Sequence, residues 1–213
     1  ILERKPRLTL LSGGTGSGKT TAQYFIIPML IEMFKGKAGL LVGKTLSALK
    51  TNIIIPMQEI YGNLIGDMYS DASGGRYINL FGEKVRCVGA NDARSESKIR
   101  GSTLAWCVGD EASLWSENFF DMLMSRLREM NAMCICTTNP DSPNHWLNRK
   151  YRENTGIDIL VLDSTIYDNP FLEQKFVDNL VKIYEGTELY DRYILGKWAS
   201  GQGSIYKKFI IDK

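Results

Sequence analysis

A glycine-rich stretch near the start of the chain has the residue types and spacing that hold phosphate groups. It runs from Ser12 to Thr21 as SGGTGSGKTT and fits the pattern G-x-x-x-x-G-K-[ST]. Glycines let successive backbone N–H groups face an anion, and a following helix adds the positive end of its dipole. Lys19 would reach the β- and γ-phosphates of a nucleotide, and the Thr20 hydroxyl would bind Mg²⁺. The alternative is a flexible glycine turn. The predicted nucleotide-binding residues here are Gly13, Gly14, Thr15, Gly16, Ser17, Gly18, Lys19, Thr20 and Thr21.

Two adjacent carboxylates follow the apolar run Leu104–Gly109. Asp110 is predicted to hold Mg²⁺ opposite Thr20, directly or through water. Glu111 is predicted to polarise the water that attacks the γ-phosphate. The alternative is that both residues only cap the next helix.

A third polar group, Thr137-Thr138-Asn139, precedes Pro140 and follows another apolar run. We expect Thr138 and Asn139 to contact the nucleotide and to report its hydrolysis to neighbouring elements. The same residues also form a reasonable turn.

Phosphoryl transfer requires a cation that stabilises the negative charge developing on the phosphate, and Arg100 is the predicted cation. The rival residues are Arg94, Arg126 and Arg128, and a solvated surface role is the alternative for each arginine.

Apolar runs alternate with helical patterns, which predicts an α/β fold with a doubly wound, mainly parallel sheet flanked by helices. Ligands of such sheets bind outside the carboxyl ends of the strands, where the three polar groups fall. The predicted strands are 8–11, 39–43, 76–81, 84–88, 104–109, 132–136 and 157–162, with a hairpin turn at Gly82-Glu83. The predicted helices are 20–34, 46–61, 116–128, 146–153, 171–185 and 187–195. In the first helix, Phe25, Met29 and Met33 recur on an apolar face, and Pro28 is expected to kink it. Pro56 is expected to divide the second helix, and Ser116 to cap the third. Residues 91–100 read as a loop or short helix.

The bulk composition is that of a globular domain with a real core. The chain has 213 residues, of which 44% are hydrophobic, and a net charge of +2 that does not by itself indicate a nucleic-acid binder. Four cysteines without C-x-x-C spacing predict reduced, buried thiols in a cytosolic protein. With His145 as the one histidine, a histidine-built metal site is not expected. No apolar run approaches the ~20 residues of a membrane span. The first residue is Ile1 rather than methionine, so we expect a domain of a longer protein.

Together these motifs resemble the N-terminal ATPase domain of the large terminase subunit, the motor that packages double-stranded DNA into tailed-phage and herpesvirus capsids. The resemblance covers essentially the whole chain. Its residues are Ser12–Thr21 (Walker A), Leu104–Glu111 (Walker B with its catalytic glutamate), Thr137–Pro140 (the coupling motif), Ile99–Ser102, and the closing patterns Tyr193–Trp198 and Gly203–Tyr206.

The resemblance implies a P-loop NTPase fold of the ASCE type, with residues 1–162 as the ATPase core. Residues 163–200 would form a small helical lid, and 201–213 would begin a linker to a missing RNase H-like nuclease. It implies ATP and Mg²⁺ as cofactors, and double-stranded DNA, a portal protein and a small terminase subunit as partners. It also implies a homo-oligomeric ring on the procapsid, no membrane association, and action in the host cell cytoplasm.

One departure concerns Thr15, which stands where many relatives carry an arginine in the loop. This favours Arg100 as the cation, acting on the same or a neighbouring subunit. The alternative functions are a helicase-like ATPase, a nucleoside kinase, or a nucleotide-binding module without turnover. DNA contacts are hypothesised at three basic clusters, with solvated surface as the alternative: Lys35-Gly36-Lys37, Arg149–Arg152 and Lys207-Lys208.

Overall fold

The computed structural model of the chain describes residues 1–91 and 94–200. The predicted linker 201–213, the cluster Lys207-Lys208 and the pattern Gly203–Tyr206 lie outside these residues.

Eight strands form a single sheet with the order β3-β4-β5-β2-β6-β7-β1-β8. The strands from β5 to β8 in this order are parallel, whereas β3, β4 and β5 pair antiparallel at one edge. The predicted mainly parallel α/β sheet is therefore confirmed. The strands are β1 Leu8–Gly13, β2 Gly39–Gly43, β3 Tyr69–Ser70, β4 Arg76–Leu80, β5 Glu83–Gly89, β6 Trp106–Gly109, β7 Met133–Thr138 and β8 Ile159–Ser164.

Helices connect the strands and cover both faces of the sheet. Two π-helical segments, Lys50–Ile54 and Leu147–Arg152, and short 3₁₀ turns at Gly62–Leu64, Ala112–Leu114 and Ile166–Asp168 complete the described elements. The α-helices are α1 Lys19–Met33, α2 Leu46–Leu49, α3 Ile55–Tyr61, α4 Ser95–Ile99, α5 Glu117–Arg126, α6 Gln174–Tyr184 and α7 Glu188–Tyr193.

Alternate residues of the parallel strands enter two separate cores because successive side chains of a strand point to opposite faces. Leu40 and Val42 pack on the face that α5 covers with Phe119 and Phe120. Leu41 packs on the opposite face, together with residues of α1 and α3. Both faces are thus apolar, which explains why the strands read as continuous hydrophobic runs.

The predicted apolar face of the first helix is not the face that packs. Phe25, Met29 and Met33 are 51%, 53% and 37% exposed, and the buried face of α1 instead carries Ile27 and Leu30. The helix is apolar on nearly every side, so its periodicity could not identify the face that meets the sheet. The helix also runs continuously through Pro28.

Several local predictions are confirmed. Strands β4 and β5 form the expected antiparallel hairpin, but its turn is Phe81-Gly82 rather than the predicted Gly82-Glu83, because Glu83 already pairs with Leu80. The Ser116 side chain accepts the Phe119 N–H and caps α5. The predicted helix 46–61 is divided just before Pro56, where the π-helical segment Lys50–Ile54 separates α2 from α3. The four cysteines are free and buried.

In the described part of the chain, no helix is long and apolar enough to cross a membrane.

The segment after β8 has a small apolar cluster of its own. Ile166, Val177 and Ile194 are buried together, with Leu172 and Tyr190 packed against them. Strand β8 continues through Ser164, two residues into the predicted lid, because Asp163 and Ser164 pair with the end of β1. The division at 162/163 stays a prediction. We call residues 165–200 the lid segment below.

Candidate functional site

A cavity of about 360 Å³ lies at the carboxyl ends of β1, β6 and β7. This is the edge where a doubly wound sheet binds its ligands. The three polar groups found in the sequence meet there, together with residues of the lid segment. The lining residues are Thr15, Gly16, Ser17, Gly18, Lys19, Thr20, Thr21, Asn52, Asp110, Glu111, Thr137, Thr138, Asn139, Asn169 and Leu172.

The loop between β1 and α1 curls around the Lys19 side chain. Gly16 and Gly18 have φ of +73° and +84°, a left-handed backbone that glycine adopts without a Cβ clash. The Lys19 ammonium donates hydrogen bonds to the carbonyls of Gly13 and Gly14, at 2.9 and 2.6 Å. Burial lowers the pKa of Lys19 to about 8, although the nearby charges of Asp110 and Glu111 oppose the shift.

The Asp110 carboxylate is buried, 3% exposed, and both of its oxygens accept hydrogen bonds. Oδ1 accepts from the Thr137 hydroxyl at 2.8 Å and from the Thr20 hydroxyl at 3.4 Å. Oδ2 accepts from the side-chain amide of Asn52 at 2.9 Å. Because Asp110 and Thr20 are adjacent oxygen donors on the cavity wall, they fit Mg²⁺, which binds proteins through one or two carboxylates and retains waters or phosphate oxygens. The described residues contain no group of three or more histidine, cysteine or carboxylate side chains suited to a metal.

Glu111 lies beside this carboxylate with a left-handed backbone, at φ +57°. Such a conformation is uncommon for a residue with a side chain and is found at active sites. Its N–H donates to the Thr137 hydroxyl at 3.1 Å, which fixes the turn after β6. Burial, and secondly the charge of Asp110, raises the pKa of the Glu111 carboxyl, while Lys19 and Lys44 oppose this. A half-buried carboxylate with a raised pKa is suited to accept a proton.

The polar residues that end β7 line the cavity as predicted, but their roles differ. Thr137 and Thr138 belong to the strand and are buried, whereas Asn139 follows it. Thr137 bonds to the Asp110 side chain and to the Glu111 backbone, so it orders the two carboxylates. The Thr138 hydroxyl donates to the Asn139 carbonyl at 3.1 Å. Contact of Thr138 and Asn139 with a nucleotide stays a prediction.

The lid segment bonds directly to the glycine loop. The Asn169 side chain donates to the Gly16 carbonyl at 2.7 Å. The Thr15 N–H donates to the Tyr193 carbonyl at 2.8 Å. On the same helix as Tyr193, Arg192 forms an ion pair with Asp141 at 3.2 Å. The lid segment thus contacts both the loop and the segment that follows β7.

Gly13 and Gly14 differ from the other predicted loop residues, because they do not line the cavity. A Cβ on Gly13 would lie 2.2 Å from the Ser164 hydroxyl oxygen, and a Cβ on Gly14 would lie 2.4 Å from the Tyr193 carbonyl oxygen. The structure therefore gives both glycines a packing role against β8 and the lid segment. Their contact with a nucleotide stays a prediction.

Arg100, the cation predicted to stabilise the developing charge, does not lie at the cavity. Arg100 is exposed at the end of α4 and does not line the cavity. The rivals Arg94, Arg126 and Arg128 also lie outside it. The cationic side chain that lines this cavity among the described residues is Lys19.

Sequence reasoning missed Asn52, Asn169 and Leu172. Asn52 and Asn169 are single polar residues inside apparently ordinary helical or turn sequence, and their partners are remote in the chain. The signal available was weak: Asn52 is a polar residue immediately before the apolar run Ile53–Ile55.

Comparison with known proteins agrees with this geometry. Residues 10–213 match the family model described as the T4likevirus-type, N-terminal region of the terminase large subunit. A search of the curated proteins found no match.

Solved structures of phage terminases have the same fold. The large terminase of a thermophilic bacteriophage is 27% identical, with a TM-score of 0.78 over 91% of this chain and 49% of that one. The complex of that terminase with ADP is 26% identical, with a TM-score of 0.79 and the same coverage. The Thermus phage P74-26 large terminase ATPase domain, at 15% identity, has a TM-score of 0.58 over 91% of this chain and 89% of that one.

The chain spans about half the length of the thermophilic-phage terminase that it matches. The fold and the family model agree with the resemblance in the motifs, and the family model covers nearly all of the sequence. The chain therefore belongs to the terminase large subunit family and corresponds to its T4likevirus-type N-terminal region.

Proposed function

We propose that this chain hydrolyses ATP in the cavity at the end of β1, β6 and β7, and that the hydrolysis drives the packaging of double-stranded phage DNA into a procapsid. The observation that carries the proposal is the convergence of Lys19, Asp110 and Glu111 on one cavity. The family membership and the ADP and ATP-γ-S complexes of the thermophilic-phage terminase support it.

Binding of the nucleotide falls to the loop. The Lys19 ammonium is a point charge on a flexible stem. It can exchange the carbonyls of its own loop for β- and γ-phosphate oxygens, which are stronger acceptors because they are charged. The start of α1 adds the positive end of its dipole at the same place. Lys19 would then stabilise the charge that develops during transfer.

Thr20 and Asp110 would hold Mg²⁺ between them. Mg²⁺ supplies charge neutralisation at the phosphates. The Thr137 hydroxyl keeps Asp110 oriented, since it donates to Oδ1. Glu111 would accept the proton of the attacking water. The raised pKa of its carboxyl group lies closer to neutral pH, which favours a general base.

Lysine and arginine side chains supply the contacts to DNA phosphates, and we look for them where no carboxylate already pairs with the cation. The clusters predicted from the sequence fit this only in part. Lys37 pairs with Glu129, Lys150 with Glu117 and Asp121, and Arg152 with Asp163, which leaves one cation without an ion pair in each of the two described clusters, Lys35 and Arg149. A second cavity of about 390 Å³ at the antiparallel edge of the sheet is lined by Arg76 and Arg86. Neither has a carboxylate partner among residues 1–91 and 94–200. This surface is our choice for phosphate contacts of double-stranded DNA.

The remaining partners follow from the whole packaging machine. We propose that the full-length protein forms a homo-oligomeric ring on the portal protein of the procapsid, in the host cell cytoplasm. A small terminase subunit would select the DNA.

The deciding experiment measures phosphate release from ATP and Mg²⁺ by this chain, with and without double-stranded DNA. Release to water supports the proposal, whereas transfer of labelled phosphate to an added nucleoside supports a kinase, and neither indicates a binding module. Packaging of DNA into procapsids by the full-length protein then tests translocation. Arg76→Glu together with Arg86→Glu should abolish the DNA response while leaving basal hydrolysis intact.

A further inference from the structure

We propose that Asn52 is a positioning residue that holds the carboxylate of Asp110 in the orientation needed to bind Mg²⁺. This inference rests on the proposed function of the same cavity. It assigns a role to a residue that none of the sequence motifs contains.

The hydrogen bonds of Asp110 come from three separate parts of the fold. Thr20 of α1 and Thr137 of β7 donate to Oδ1. Asn52 donates to Oδ2, at 2.9 Å, and it is the partner that the described residues provide for that oxygen. Without Asn52, the carboxylate would be held through one oxygen and free to turn about it. An amide donor restrains the second oxygen without neutralising the charge that a cation requires.

The placement of Asn52 depends on an unusual helical segment. Asn52 lies in the middle of the π-helical segment Lys50–Ile54, between α2 and α3. The π-helix is rare and occurs mostly as single turns inside α-helices, and such turns are frequent at functional sites. Ile53 and Ile54, each 1% exposed, anchor the segment in the core that α1 forms with the sheet.

The backbone of Asn52 is also fixed from α1. The Tyr24 hydroxyl donates to the Asn52 carbonyl at 2.7 Å. Tyr24 lies one turn after Thr20 on the same helix, so α1 supplies both a donor to Oδ1 and the contact that places Asn52. The position of the amide is therefore tied to the position of the proposed magnesium ligand Thr20.

The loss of such a contact changes metal affinity by a characteristic factor. Residues that orient a metal ligand change metal affinity by about 10–100-fold when they are removed. Loss of Asn52 should therefore weaken metal binding without weakening the contacts that the loop makes to phosphate groups. A merely structural residue would weaken both.

The test measures metal binding apart from catalysis. Mn²⁺ serves as the probe and is titrated into the chain held in excess over ADP, so that little free nucleotide competes for the metal, with free Mn²⁺ followed by electron paramagnetic resonance. ADP affinity is measured separately in EDTA. Asn52→Ala should lower the Mn²⁺ affinity about 10–100-fold and leave the metal-free ADP affinity within about twofold. Asn52→Gln retains the amide donor and should restore part of the loss.

Asn144→Ala, an exposed asparagine outside the cavity, is the matched control and should change neither affinity. Unchanged Mn²⁺ binding in Asn52→Ala would overturn the inference. So would an equal loss of metal-free ADP affinity, because Asn52 would then support the whole loop. If Asn52→Ala does not fold, Asn52→Gln is compared with Asn52→Leu, which is similar in size and has no hydrogen-bond donor. The inference is refuted if Asn52→Gln binds Mn²⁺ no more tightly than Asn52→Leu. Failure of the wild-type chain to release phosphate would refute the proposed function instead, since the Mn²⁺ measurement does not require turnover.

Discussion

The Thr137 hydroxyl bonds to both members of the carboxylate pair, because it donates to Oδ1 of Asp110 at 2.8 Å and accepts the Glu111 N–H at 3.1 Å. One side chain from β7 thus sets the direction of the Asp110 carboxylate and the turn that carries Glu111. The two acids are adjacent in sequence, yet their side chains lie in different environments. Asp110 accepts hydrogen bonds at both of its oxygens, and Glu111 is half-buried and has a raised pKa.

Glu111→Gln should lower ATP hydrolysis about 10²–10⁴-fold, because an amide cannot accept the proton of the attacking water. ADP binding should be unchanged, since the loop and Lys19 remain. Phosphate release and fluorescent ADP titration measure the two effects. Glu32→Gln, at an exposed position near the end of α1, is the control. Full activity in Glu111→Gln would remove Glu111 from the mechanism.

Nucleotide affinity should depend on pH through Lys19, whose pKa burial lowers to about 8. The side chain is charged below that pH and neutral above it, and only the charged form attracts phosphate. Between pH 7 and pH 9 we expect the metal-free ADP affinity to fall about tenfold, which corresponds to one pH unit above the pKa. Binding at pH 9 should take up a proton, visible by calorimetry in two buffers with different ionisation enthalpies.

Lys19→Arg provides the control, because a guanidinium stays charged at both pH values. Its ADP affinity should be independent of pH over this range, whatever its absolute value. Equal affinity of the wild-type chain at pH 7 and pH 9 would contradict the assignment.

Arg192→Ala should loosen the lid segment. Its Nε donates to the Pro140 carbonyl at 3.0 Å, and its guanidinium pairs with Asp141 at 3.2 Å, in a partly buried position. Hydrogen bonds to charged groups contribute about 1.5–3 kcal/mol, so the Tm should fall by a few degrees. Calorimetry measures this, and amide exchange should increase in α7.

Arg149→Ala is the comparison for this change, because Arg149 is exposed and the described residues offer its side chain no ion pair. An equal drop in Tm for both variants would show that the contacts of Arg192 contribute nothing specific.

Gly14→Ala should destabilise the loop without touching the cavity wall. The new Cβ would lie 2.4 Å from the Tyr193 carbonyl oxygen, so the loop and α7 would have to separate. We expect both a lower Tm and a weaker ADP affinity. In Gly156→Ala, where the nearest atom to a Cβ is an Asn154 side-chain oxygen at 3.2 Å, both should change little. A Gly14→Ala chain with wild-type stability would show that the lid segment moves aside at no cost.

Arg100 is exposed and outside the cavity of its own chain, so we expect any catalytic role to be exercised on a neighbouring subunit. In the assembled full-length motor, Arg100→Ala and Glu111→Gln subunits should each be inactive alone. Mixed rings should recover hydrolysis, because a Glu111→Gln neighbour supplies its arginine to an intact site. No recovery on mixing, or an active Arg100→Ala ring, would reject the assignment.

The sequence predicted the sheet and most of the site because both depend on local patterns. Continuous apolar runs identify buried parallel strands, and their carboxyl ends place Lys19, Asp110 and Thr137 at one edge without any knowledge of the packing. The face of α1 could not be predicted, since Phe25 and Ile27 are equally apolar and only contact with the sheet distinguishes them. Asn52 was beyond reach for a related reason. Its role depends on a π-turn and a partner in a distant part of the chain, and neither has a sequence pattern of its own.

Strand β1 is hydrogen-bonded to a parallel neighbour on each side, β7 and β8, over nearly its whole length. A load applied to the glycine loop along the strand would therefore stretch two ladders at once, in shear, rather than open one bond after another. We expect the loop to behave as a stiff mechanical anchor, with the deformation falling on the few bonds that Tyr193 and Asn169 make to it. Pulled in an optical trap, the lid segment should detach at low force while the strand that carries the loop stays in the sheet.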